Sequence, residues 1–230
     1  GVHCHRRLAR PLSAKNRQRK HRKLIIFLGL GMAFVAFLVG VNLYQSRVQS
    51  AQELQVAGQA ERLVRMHSPV IGPREAPVTI VEFFNPACET CRAFYPVVKD
   101  LMQQYPSEVR LVIRYAPFHQ GSEQVVKLLE SARQQDKYQA VLEAVLAAQP
   151  QWADHGNPNL ELAYKAAEQA GLDMLRARAD MAAPTLDAVL QQDVQDLTAL
   201  KVEKTPTFFV NGRALPSFGH KQLAELVAQE

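Results

Sequence analysis

Val78-Thr79-Ile80-Val81-Glu82-Phe83-Phe84-Asn85-Pro86-Ala87-Cys88-Glu89-Thr90-Cys91 is the stretch on which the fold turns. Its first half is a short apolar run of the kind buried on both faces of a sheet. Asn85-Pro86 breaks the run. From Cys88 onward Phe94, Val97, Val98, Leu101 and Tyr105 recur at helical spacing and predict one buried stripe. Pro96 lies inside that helix and predicts a kink. Pro106 and Ser107 end it, and Val109 to Tyr115 alternates as a second strand. Strand, crossover helix and strand imply a parallel pair.

Downstream, residues 121 to 200 change character. Apolar residues recur at helical spacing in groups such as Val125, Leu128 and Leu129, or Leu186, Val189 and Leu190. Pro150, Gly156-Asn157-Pro158, Gly171 and Pro184 separate the groups, predicting four or five consecutive helices and no strand. Thr207 to Val210 then reads as a strand, Asn211-Gly212 as a hairpin turn, and Arg213 to Leu215 as its return. A helix over about His220 to Val227 closes the sequence.

Upstream, the net charge of +5 conceals an asymmetry. Residues 1–23 hold nine of the 27 Lys and Arg and no acid, so the rest carries 18 basic against 22 acidic residues, a net of −4. The basic run abuts an apolar stretch and lacks interleaved aromatics, so it is read as a topology signal and not as a nucleic-acid site. Leu24 to Tyr44 is 21 residues without a charge, and about 20 such residues span a bilayer core as a helix. Val48-Gln49-Ser50 loosely fits a cleavage site, but the apolar run exceeds a signal-peptide core, which favours an uncleaved anchor. The expected order is a basic cytoplasmic tail (1–23), a transmembrane helix (24–44), a stalk or linker (45–69) and a domain outside the cytoplasm (70–230). Pro69, Gly72, Pro73 and Pro77 mark where that domain begins.

Cys88 falls at a helix N-terminus, where unsatisfied N–H groups and the macrodipole favour an anion. The thiolate is the nucleophile of disulfide exchange, so Cys88 is the expected attacking thiol. Cys91, one turn further in, is expected to resolve the mixed disulfide. A zinc site needs four ligands, and no second Cys pair or nearby His-x-His supplies them. A structural disulfide normally joins distant segments, and this loop is tiny. Glu89 beside Cys88 is expected to disfavour its thiolate, raise its pKa and make the disulfide harder to reduce, with Thr90 as the other residue tuning the pair. His119 is read as a loop residue leading into the helical block, Trp152 as an anchor of that block, and His3-Cys4-His5 as incidental.

Residues Ala76 to Phe118 and Lys204 to Gly212 resemble the thioredoxin superfamily, closest to its DsbA-like branch with a helical insertion. The resemblance covers about 70–230, with the insertion at about 120–200. It is carried by the Cys-x-x-Cys after a strand, by Glu82 six residues before Cys88, by Pro96 eight residues after it, and by Thr205-Pro206-Thr207 before a strand. It implies an α/β thioredoxin-like fold with an inserted helical subdomain, preceded by the single transmembrane helix. It also implies a cis Pro206 that sets the Thr205 backbone opposite Cys88 to hold an extended substrate strand. Glu82 becomes a desolvated acid with a raised pKa that relays protons for Cys91.

The function expected is a membrane-anchored thiol:disulfide oxidoreductase in the bacterial inner membrane, with its catalytic domain in the periplasm. Its partners are cysteine-containing client proteins and a redox-recycling partner. No cofactor or metal is needed, because the electrons reside in the cysteine pair. Glu89 predicts a milder oxidant than relatives with His between the cysteines, and Thr205 tempers a purely oxidase reading. A non-catalytic thioredoxin-like chaperone or adaptor, and a copper- or zinc-handling dithiol protein, are the alternative classes.

Overall fold

The computed structural model describes the backbone of residues 12–230 and the side chains of 21–47 and 58–230. The chain divides into two compact units, 1–56 and 57–230. Cys4, the His3-Cys4-His5 cluster and most of the basic tail lie outside the described residues.

Helix α1, Leu12–Leu63, holds the apolar span, whose limits are His21–Arg47 and whose most apolar 18-residue window has a mean hydropathy of 2.8. The leucines and phenylalanines of that span are exposed all round, as in a helix long and apolar enough to cross a membrane.

The second unit is a five-stranded mixed sheet. Its strands are β1 (Val70–Ile71), β2 (Val78–Phe84), β3 (Val109–Tyr115), β4 (Thr207–Val210) and β5 (Arg213–Ala214), in the order β1-β3-β2-β4-β5. Strands β2 and β3 pair in parallel from Val78↔Val109 to Phe84↔Tyr115, and helix α2 (Glu89–Gln104) is the crossover between them. Strand β4 runs antiparallel to β2, with Phe208 opposite Glu82. The β4–β5 turn places Asn211 at φ 46° and Gly212 at φ 81°, the doubly positive pair that an Asn-Gly hairpin turn requires.

The two-residue period of β2 divides the core. Val78, Ile80 and Phe84 join the larger cluster, under α2 and the helical block. Val81 and Phe83 face a smaller cluster with Leu63, Val112, Leu197 and Val202. Glu82 has the parity of Ile80 and Phe84, so its carboxylate is directed under α2. The buried stripe of α2 is Cys91, Phe94, Tyr95, Val98 and Leu101. Tyr95 thus takes the place expected for Val97, and the helix continues through Pro96.

The helical block holds six helices rather than four or five: α3 (Ser122–Gln134), α4 (Tyr138–Ala147), α5 (Gln149–Trp152), α6 (Leu160–Gln169), α7 (Met174–Met181) and α8 (Pro184–Ala199). Helix α7 escapes the periodicity reading because it buries only Ala177; Asp173 caps it by accepting from the Arg176 N–H at 3.1 Å. Helix α5 is a single turn opened by Pro150. Trp152, fully buried, donates to the Val145 carbonyl at 2.9 Å and anchors the block. Helix α9, His220–Gln229, closes the chain against α2 and β4.

The other face of the sheet carries a buried ionic cluster. Arg114 on β3 is fully buried and pairs with Asp193 at 2.8 Å and Asp196 at 2.7 Å, both on α8. Arg65 reaches Asp196 at 2.7 Å, and His67 reaches Asp193 at 2.7 Å. Arg114 also donates to the Arg62 carbonyl, satisfying one of the free acceptors at the end of α1. Residues 62–68, read from sequence as stalk, are in this way built into the packed body.

Candidate active site

Strand β2 delivers the chain to a tight turn, Asn85–Ala87, and Cys88 follows as the N-cap of α2 with extended backbone (φ −88°, ψ 121°). The Cys88 N–H donates to the Asn85 carbonyl at 3.1 Å, and the Cys88 carbonyl accepts the first helical bond, from Arg92 at 3.1 Å. Both cysteines are free thiols; Cys88 is 6% exposed and Cys91 fully buried. The Asn85 N–H points at the Cys91 sulfur, at 3.5 Å.

The Thr205–Pro206 peptide is cis, and its loop faces the dithiol. As a thiol, Cys88 donates to the Thr205 carbonyl at 3.4 Å. As a thiolate it accepts instead. The Cys91 thiol is its main stabilising donor, the Thr205 side chain and the backbone N–H groups of Cys91 and Thr90 add to it, and together they outweigh burial and bring the Cys88 pKa down to about 5. Cys91 moves the opposite way. Burial, its hydrogen bond to Cys88 and the charges of Glu82 and Cys88 keep it protonated. One thiol is thus prepared to attack and the other to wait.

Glu82 is 1% exposed, and its Oε1 has no hydrogen-bond partner. Burial, with a smaller push from the Cys88 charge, raises its pKa to about 8. Such a group takes and returns a proton near neutral pH. A raised carboxyl pKa also costs stability as pH rises from the unfolded value through about 8. Glu82→Gln is therefore expected to remove a slope of up to about 1.4 kcal/mol per pH unit in that window. Urea unfolding of the reduced protein across that range checks it: the variant's advantage grows with pH and then levels off.

Glu89, expected to oppose the Cys88 thiolate against the pull of the helix terminus, has a partner of its own. Its carboxylate is 61% exposed and pairs with His155 Nε2 at 3.2 Å. The Cys88 pKa falls where a raised value was expected from Glu89, because donors converge on the sulfur while Glu89 is occupied elsewhere. Thr90 is exposed and acts through its backbone.

Residues from the helical block, which sequence reasoning passed over, complete the surround. The Gln149 side chain donates to the carbonyls of Pro86 at 2.7 Å and Cys88 at 3.0 Å. Asn85, read only as a strand breaker, is buried; its Oδ1 accepts from Ala87 N–H at 3.1 Å and Ser122 Oγ at 2.6 Å. Its Nδ2 meets His119 Nδ1 at 2.5 Å. The sequence shows neither that Asn85 and Gln149 are buried nor which distant groups they reach.

The Thioredoxin family model matches residues 65–229, most of the chain and all of the dithiol site. A thioredoxin-like oxidoreductase from Silicibacter pomeroyi superposes with a TM-score of 0.64 at 32% identity, covering 74% of this chain and 95% of that one. The chain belongs to the thioredoxin superfamily. The thiol-disulfide exchange protein alpha-DsbA2 from Wolbachia pipientis shares the fold with a TM-score of 0.66 at 16% identity, over 78% of this chain and 96% of that one. A Na(+)/H(+) antiporter, NhaA 3 from Salinispora tropica, is 37% identical over 147 residues. That match covers 63% of this chain but only 22% of the antiporter's length.

Proposed function

We propose that the protein is a membrane-anchored thiol:disulfide oxidoreductase, held in a bacterial inner membrane by the apolar span of α1 with its catalytic body in the periplasm. The observation that carries the chemistry is the setting of the dithiol: Cys88 at the N-cap of α2 against the cis Thr205–Pro206 loop, Cys91 fully buried one turn further in, and Glu82 buried on β2. The topology rests on the basic cluster ahead of the span, which favours a cytoplasmic N-terminus.

In the reducing direction the Cys88 thiolate attacks a client disulfide. An S–S bond forms to Cys88, and the client's other sulfur leaves as a thiolate. Cys91 then gives its proton to the Glu82 carboxylate and attacks the Cys88 sulfur. The client leaves reduced, and the chain keeps a Cys88–Cys91 disulfide. Oxidation of a client dithiol is the reverse sequence, and a redox partner resets the pair. Thr205, in the cis loop, offers main-chain groups to the client strand next to the reacting sulfur.

A Cys88 pKa of about 5 falls between about 3.5 for the strongest oxidant of this type and about 7 for thioredoxin. The potential is accordingly placed between about −120 and −270 mV. Cys91→Ser tests function and topology together. Expressed as the full chain, it is expected to accumulate mixed disulfides with envelope proteins, reversible by dithiothreitol and reached by impermeant reductant in intact spheroplasts. A Cys88 that reacts only with cytoplasmic thiols, or forms no mixed disulfide, overturns the reading.

A further inference from the structure

The hydrogen bonds and ion pairs between the helical block and Asn85–Glu89 form a connected chain. It begins at buried Asn85. Because the Ala87 N–H can only donate, the Asn85 oxygen must face it, and the amide nitrogen must face His119. His119 Nδ1 is therefore an acceptor, and the ring carries its proton on Nε2. The loop bearing His119 meets the loop bearing His155 at Gly121, where φ is +81° and a Cβ would lie 2.9 Å from Pro158. With the loops held this close, the two imidazoles stack at 4.3 Å with a 31° tilt. His155 then extends to Glu89 at 3.2 Å, on the residue that follows the nucleophile. The neighbouring Asp154 is engaged within its own loop, accepting from the Gly156 and Asn157 N–H groups at 2.9 and 3.0 Å.

We propose that His155, carried by the helical insertion, is a positioning residue for disulfide exchange that sets the redox equilibrium of the dithiol through Glu89. An unpaired Glu89 carboxylate opposes the negative charge of the Cys88 thiolate and so destabilises the reduced form. Hydrogen-bonded at 3.2 Å, His155 Nε2 offsets that charge and draws the carboxylate away. The insertion thus tunes the driving force through a side chain far from the Cys-x-x-Cys in sequence. This rests on the thiol–disulfide reading above.

The test is the equilibrium constant of the full chain against glutathione, held in detergent, for His155→Asn, His155→Lys and both Glu89 backgrounds. His155→Asn is expected to shift the constant toward the oxidised chain by about threefold, or about 14 mV, the scale of one partly exposed ion pair. His155→Lys is expected to keep the wild-type constant. In a Glu89→Gln background His155→Asn is expected to shift it less than about 1.5-fold, because the carboxylate it neutralises is gone. A constant unmoved by His155→Asn, an equal shift in both backgrounds, or a Lys variant that behaves like Asn overturns the inference. A wild-type chain that forms no reversible Cys88–Cys91 disulfide in glutathione would instead remove the reading beneath it.

Discussion

Cys88→Ser is expected to lose disulfide exchange completely, leaving insulin reduction at the uncatalysed background. The serine hydroxyl keeps the N-cap geometry of α2 and remains within reach of the Thr205 carbonyl, so the fold survives. What disappears is the sulfur toward which the Cys91 thiol and the backbone N–H groups converge. A hydroxyl at this site has no comparable anion to offer and cannot form the mixed disulfide. Unfolding midpoints near wild type, with activity at background, are the combined result expected. Substantial residual exchange would mean that Cys91, despite its burial and suppressed ionisation, attacks clients directly.

Arg114→Met is expected to destabilise the catalytic body by about 3–5 kcal/mol, the scale for breaking a buried ion pair from one side. Asp193 and Asp196 both lie buried against the guanidinium. After the change Asp196 keeps Arg65, and Asp193 keeps His67 and the Tyr115 N–H at 2.8 Å, but the central charge between them is gone. The Arg62 carbonyl at the end of α1 also loses its donor. Urea unfolding of the reduced protein reads the loss. Arg213, which reaches Glu230 from the exposed hairpin at 2.5 Å, provides the contrast: Arg213→Ala is expected to leave the urea midpoint close to wild type.

The strands that frame the site were legible because each is a continuous apolar run with its own punctuation. Val78–Phe84, Val109–Tyr115 and Thr207–Val210 form at the limits read from sequence, and Asn211-Gly212 turns the hairpin. Strand β1 is too short, at two residues, to show alternation, and α7 buries too little to show a period. At the site, the spacing of Glu82, Cys88, Cys91, Thr205 and Pro206 located residues that do converge. The surroundings of Glu89 were not legible in the same way. Sequence proximity places a carboxylate near Cys88, but only tertiary packing supplies His155 to take it up. Asn85 and Gln149 were invisible in the same way, since their partners lie 34 residues away at His119 and 61 residues away at Cys88.

The central claim is that Cys88 and Cys91 form one reversible two-electron couple. Equilibrating the full chain through a glutathione series, trapping with alkylating reagent and weighing the products by mass spectrometry tests it directly. The expected result is a single transition to an internal Cys88–Cys91 disulfide, at a potential more negative than about −120 mV. A chain whose Cys88 is only glutathionylated, or stays reduced across the whole series, would contradict it.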